Sequence, residues 1–285
     1  MTIRGVSLIS VASRCALVLC LLFSCVGKSG AEARQPQGAQ ASQADKAMAS
    51  KAAEAARIAE EAKKRVLRVL FIGNSLTEAN NLPLMVEAMA KANGKRLFAA
   101  QVTSGGASLE DHWNSGEALR VLRSRSWHVV VMQQGPSSLP ESRVHLREWT
   151  RRWADEIYKS NGSRPALFMV WPGLERDAFF DDVRDSYSLA ARDVYGLFMP
   201  AGEALREARR RNPRAPIYAS DDFHPSVAGT YAAALSIYGV LYKKDPNNLP
   251  ARLTLADGQV VEIPQTLATF LQECATTANR RWARP

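Results

Sequence analysis

From residue 66 onward, apolar and polar positions alternate in blocks of strand-like and helix-like text. Residues 66–72 form a continuous apolar run broken only by Arg68, the pattern of a strand covered on both faces. Pro83 then opens an apolar-periodic stretch to Ala92, which Asn93-Gly94 stops in the manner of a helix end. Residues 97–102 predict a second strand and 129–133 a third. Residues 141–159 predict a helix, with Trp149, Trp153 and Ile157 four apart and Asn161-Gly162 beyond its end. Residues 166–171 predict a fourth strand, stopped by Pro172-Gly173. Helices are expected over 179–194 and 202–211, and a short fifth strand over 217–219. Residues 225–242 read as a helix of small residues able to lie close against a sheet. An Asp257-Gly258 turn between alternating segments makes 253–263 a hairpin. A last helix runs to about Asn279. Strands alternating with helices through 66–285 predict one α/β domain, a three-layer doubly wound sandwich with a mostly parallel five-stranded sheet.

The text before residue 66 is different. Residues 15–26 are a short apolar run behind Arg4 and Arg14, too short for a comfortable permanent span and suited to the core of a secretory signal. Two processing sites compete: Ala31-Glu32-Ala33 for ordinary cleavage, and Leu22-Phe23-Ser24-Cys25, where Cys25 would carry lipid. Residues 1–33 are therefore expected to be a signal that exports the chain, with membrane attachment only through that signal or a lipid on Cys25. Residues 34–65 have almost no large apolar side chain and are rich in Ala, Lys and Glu, which predicts a solvated, semi-helical tether.

This division changes the meaning of the charge. The 285 residues carry a formal net charge of +9, which invites a nucleic-acid reading. Residues 1–65 supply +5 of it, leaving +4 for the remaining 220 residues. No nucleic-acid partner is expected. Three of the 4 cysteines fall in the signal region, so Cys274 has no partner for an intramolecular disulfide and reads as a buried small apolar residue.

In a doubly wound sheet, ligands gather at the carboxyl ends of the strands. Gly73-Asn74-Ser75-Leu76-Thr77 follows the first strand, Thr103-Ser104-Gly105-Gly106-Ala107-Ser108 the second, and Gln133-Gln134-Gly135-Pro136 the third. Ser220-Asp221-Asp222-Phe223-His224-Pro225 follows the expected fifth. Ser75 on a tight strand-to-helix turn exposes its hydroxyl where free helix N–H groups favour developing negative charge. Asp221 and His224 are three apart and can share one turn, the carboxylate fixing the imidazole tautomer and leaving the far nitrogen as a base. Asp222 is expected to cap the helix starting at Pro225. His112 reads as decoration of a surface helix, His128 and His145 as structural or solvated groups without an acidic neighbour in the sequence. Trp171 reads equally as a cleft wall or a core residue. Arg206, Arg209, Arg210, Arg211 and Arg214 read as a solvated helix face.

Gly73-Asn74-Ser75-Leu76-Thr77, the glycines after the second strand, an amide after the third and Asp-x-x-His-Pro near the end together resemble the SGNH (GDSL-like) hydrolases. The resemblance covers 66–245, and the continuation from Gly229 through the closing hairpin and helix is similar to an uncharacterised bacterial branch. It implies a flavodoxin-like fold and hydrolysis of carboxylic esters without metal or other cofactor. Ser75 would be the nucleophile, His224 the general base and then acid, and Asp221 its orienter. The oxyanion would be held by the Ser75 and Gly106 backbone N–H groups and the Gln134 amide, with Gly105 and Gln133 as the rivals. This chain departs from the family pattern in carrying Asn74 where Asp is usual and in lacking the usual Gly-x-Asn of the third block. O-acetyl groups on carbohydrate are the expected substrate. The alternative is a surface protein that binds carbohydrate without turnover.

Overall fold

The computed structural model describes residues 48, 49, 51, 52, 65–160 and 162–283. The chain divides into two units, Met1–Ser50 and Lys51–Pro285. The expected signal lies outside the described residues. So does the expected tether, apart from Met48, Ala49, Lys51 and Ala52, which are helical and exposed, and Arg65.

Val66–Gly73 forms β1 and is followed by the four-residue helix α1, Ser75–Glu78, and a 3-10 turn, Ala79–Asn81. Leu82–Ala92 is α2, with Pro83 in its first turn where a missing N–H costs nothing. Arg96–Thr103 is β2, Leu109–Ser115 is α3 and Glu117–Arg123 is α4. Val129–Met132 is β3, Pro140–Lys159 is α5 and Arg164–Phe168 is β4. A 3-10 segment, Leu174–Phe179, leads into α6, Phe180–Asp193. Leu197–Met199 is β5, Ala201–Arg211 is α7 and Val227–Tyr242 is α8. The antiparallel pair β6, Arg252–Thr254, and β7, Val260–Glu262, precedes α9, Gln265–Trp282.

The main sheet has the order β2-β1-β3-β4-β5 and every pairing in it is parallel. Right-handed crossovers in that order send α2 to one face and α3 to α6 to the other. Packing agrees: α8 touches α2, α7 and α9 in one layer, and α5 touches α3 and α6 in the other. Val69, Leu70, Phe71 and Ile72 on β1, between β2 and β3, are wholly buried. The expected three-layer sandwich is present.

The fifth strand is not where the sequence placed it. Leu197-Phe198-Met199 joins β4, whereas residues 217–219 fold back on the segment carrying His224. Ser226 N–H donates to Ile217 O (3.0 Å) and Ala219 N–H to His224 O (2.8 Å), and Tyr218 bridges Pro225. Three residues between Gly196 and Pro200 are too few for a periodic pattern to register. The extended character of 217–219 is real, but its partner is local. Asp222 caps no helix either: α8 begins at Val227, and Ser226 Oγ accepts from Gly229 N–H (3.1 Å) as its cap. The helix of small residues does pack closely. Residues 228–239 are buried all round, and Gly229 lies so near Ile217 that a Cβ on it would fall 2.0 Å from the Ile217 carbonyl oxygen.

Candidate active site

The turn after β1 is held from three sides before any chemistry is considered. Gly73 has no room for a side chain, since a Cβ there would lie 2.2 Å from Thr77 Oγ1 and 2.5 Å from Gln133 Oε1. Gln133, wholly buried, accepts from Asn74 N–H (2.9 Å) and Thr77 Oγ1–H (2.7 Å) through Oε1. Its Nε2 donates to Asn74 Oδ1 (2.8 Å) and Gln134 O (2.5 Å). Asn74 Nδ2 donates in turn to Ala107 O (3.2 Å), which an aspartate could not do. The amide at this position thus ties the turn after β1 to the glycine loop after β2. Within the first turn of α1, Leu76 N–H goes to Asn74 Oδ1 and Thr77 and Glu78 N–H go to Asn74 O. The Ser75 N–H is the donor left over.

The second segment is built from its carboxylate outward. Asp221 Oδ1 accepts from Phe223 N–H (3.1 Å) and His224 N–H (2.9 Å), folding residues 221–224 into one turn. Asp221 Oδ2 lies 2.6 Å from His224 Nδ1, and His224 Nε2 lies 2.9 Å from Ser75 Oγ. The imidazole bond, helped by the two backbone donors, holds the Asp221 carboxyl down at about 2. An ionised carboxylate can only accept, so Nδ1 carries the imidazole proton and donates it to Asp221. Nε2 is then bare and accepts from the Ser75 hydroxyl. The turn is pinned from outside as well. The buried Trp171 donates through Nε1 to Phe223 O (2.9 Å), Leu174 N–H donates to Asp222 O (3.0 Å), and the Phe223 ring stands edge-on to the imidazole at 5.2 Å.

No protein-family model and no curated protein matches the chain. Among solved structures it resembles a protein described as an SGNH hydrolase from Slackia heliotrinireducens. The TM-score is 0.51 at 26% identity, over 61% of this chain and 98% of that one. The fold is that of the SGNH hydrolases. A DUF4886 family protein from Bacteroides uniformis shares it, with a TM-score of 0.63 at 18% identity over 77% of this chain and 97% of that one.

The remaining SGNH-type positions differ in exposure. Gly106, at φ 70°, and Gly105 are exposed in the loop after β2. Ala107 N–H closes that loop on Ser104 O (3.1 Å). Gln134 is buried; its Oε1 accepts from Leu109 N–H (3.1 Å) and its Nε2 donates to Ser137 Oγ (3.0 Å), with His145 Nδ1 at 3.5 Å. Both hydrogens of Gln133 are committed inside the turn; one hydrogen of Gln134 faces only the long His145 contact.

Two histidines and the arginines of α7 differ from their sequence reading. His112 is on α3 but buried, its Nε2 2.8 Å from Gly73 O, so it braces the end of β1 instead of decorating the surface. His145 does have an acidic neighbour, Glu110 Oε2 at 2.9 Å, supplied by α3 from 35 positions away in the chain. The arginines of α7 are ion-paired rather than simply solvated: Arg206 with Asp181, Arg209 with Asp177, and Arg210 and Arg211 with Glu207. Burial pushes the Cys274 thiol up to about 12, which fits the expected small apolar residue.

Proposed function

We propose that the chain is a serine esterase that hydrolyses carboxylic esters, with O-acetyl groups on carbohydrate as the substrate class. The observation that carries this reading is the unbroken contact from Asp221 through His224 to Ser75, at 2.6 and 2.9 Å. Ser75 Oγ attacks the ester carbonyl as its proton passes to His224 Nε2. Asp221 holds Nδ1–H and balances the imidazolium that forms. The oxyanion rests on the Ser75 and Gly106 N–H groups and on Gln134, which turns an amide hydrogen from Ser137 or His145 towards the substrate. Gln133 is disfavoured as that donor because both its hydrogens already hold the turn. His224 then gives its proton to the leaving alcohol, and a water activated by the same nitrogen releases the acyl group.

The choice of a small acyl group on a bulky alcohol is supported by exposure. The His224 and Asp221 side chains are 38% and 50% exposed, on a face that an extended substrate can reach. With residues 1–33 as an export signal, the enzyme would act outside the cytoplasm, on envelope or environmental polysaccharide. The commitment of Gln134 to Ser137 favours a second reading, a carbohydrate-binding protein without turnover.

One assay separates the two. The full chain should release p-nitrophenol from p-nitrophenyl acetate faster than from the octanoate, and acetate from acetylated xylan, with Ser75→Ala silent on all three. Equal rates for wild type and Ser75→Ala reject the esterase; binding of acetylated xylan without release selects the second reading.

A further inference from the structure

The turn that carries Ser75 is followed by two consecutive left-handed residues, Asn80 (φ 52°, ψ 28°) and Asn81 (φ 55°). Glycine would take this conformation without steric cost, and asparagine tolerates it better than most side chains. What the asparagine at position 80 adds is a donor. Its Nδ2 reaches Pro225 O at 3.2 Å and Thr230 Oγ1 at 2.8 Å. Pro225 is the residue after His224, and Thr230 is wholly buried in α8, where its hydroxyl lies 3.5 Å from Ala79 O. The neighbouring Asn81 points the other way, donating to Asp257 Oδ2 (3.1 Å) and Gln259 Oε1 (2.7 Å) in the turn between β6 and β7.

The consequence is a bridge between segments 145 positions apart. On one side it starts five residues after Ser75; on the other it ends one residue after His224. The left-handed backbone is what swings the Asn80 side chain back toward Pro225 while Asn81 is tied to the hairpin. We propose that Asn80 is a positioning residue that sets the distance between the Ser75 hydroxyl and the His224 imidazole, a role that rests on the esterase reading. Asn80 touches neither reacting atom. It acts by fixing the carbonyl next to the base against the turn that carries the nucleophile. Proton transfer over a hydrogen bond is steep in distance, so a small slip of one segment costs rate without touching the surface that binds substrate.

Two substitutions test this in the full-length protein. Asn80→Gly keeps the backbone conformation and removes the bridge. Asn80→Asp keeps size and left-handed tolerance but puts a carboxylate, which cannot donate, against the Pro225 carbonyl. Asn80→Gly should keep the wild-type thermal midpoint and KM for p-nitrophenyl acetate while kcat falls by about tenfold to a hundredfold, and Asn80→Asp should lose at least as much kcat. Phosphonylation of Ser75 by an organophosphate should slow by the same factor, because it reads activation of the hydroxyl alone. A wild-type kcat in Asn80→Gly overturns the proposal, as does a loss of kcat matched by a lowered midpoint or a raised KM. Ser75→Ala run alongside separates the two layers of inference. If it is as fast as wild type, the esterase reading and this one fall together. If it is silent while Asn80→Gly runs at full rate, only this one falls.

Discussion

At the scale of single residues, the site turns on the protonation of one carboxyl. Asp221 is ionised because an imidazole N–H and two backbone N–H groups point at it, and its charge dictates which nitrogen of His224 is bare. A folded-state pKa of about 2 lies below the ordinary carboxylate value of about 3.9. The stabilisation that this ionisation brings is therefore complete above the ordinary value and fades as pH falls through about 2. Asp221→Asn should lower kcat by about 10⁴, because its amide no longer imposes the tautomer. The gap in thermal midpoint between wild type and Asp221→Asn should be constant above pH 4 and close as pH approaches 2; a gap that widens in acid would contradict the assignment. Gly73 is the other decisive residue. Gly73→Ala drives a methyl into Thr77 Oγ1 and Gln133 Oε1, the groups that hold the turn. It should cost about 1–3 kcal/mol in a denaturant titration. It should also abolish ester hydrolysis.

At the scale of elements, His224 is carried by a loop that helices and strand ends grip. Trp171 holds Phe223 O, residues 217–219 pair with 224–226, and α8 presses on Ile217 through Gly229. A methyl at Gly229 would meet the Ile217 backbone, which has no flexible end to move aside. Gly229→Ala should therefore cost about 1–3 kcal/mol by thermal or denaturant unfolding. Because Ile217 pairs with the segment bearing His224, it should also lower kcat. A variant that loses stability with an unchanged kcat would show that α8 and the His224 loop are mechanically independent. The same element explains a misplacement in the sequence reading. The short extended segment 217–219 has the composition of a strand, and only its neighbours show that it pairs with the segment bearing His224 instead of extending the sheet.

At the scale of the whole molecule, the core among the described residues clusters from Leu67 to Trp282. A protein beginning at Arg65 should show the thermal midpoint and ester turnover of the full chain; a large drop in either would mean that the first 64 residues complete the core.

The sequence by itself determined the order and type of most elements, the α/β class and the meeting of Ser75, Asp221 and His224. Those features are written in local periodicity, in turn chemistry and in a three-residue spacing. Tertiary structure alone decided that β5 is 197–199, that His112 braces Gly73, that Glu110 faces His145, and that Gln133 is spent inside the turn. It also decided that Asn80 reaches Pro225. Each of these is a pairing between segments distant in the chain, and the geometry of such a pair exists only once the sheet has set where its strand ends lie.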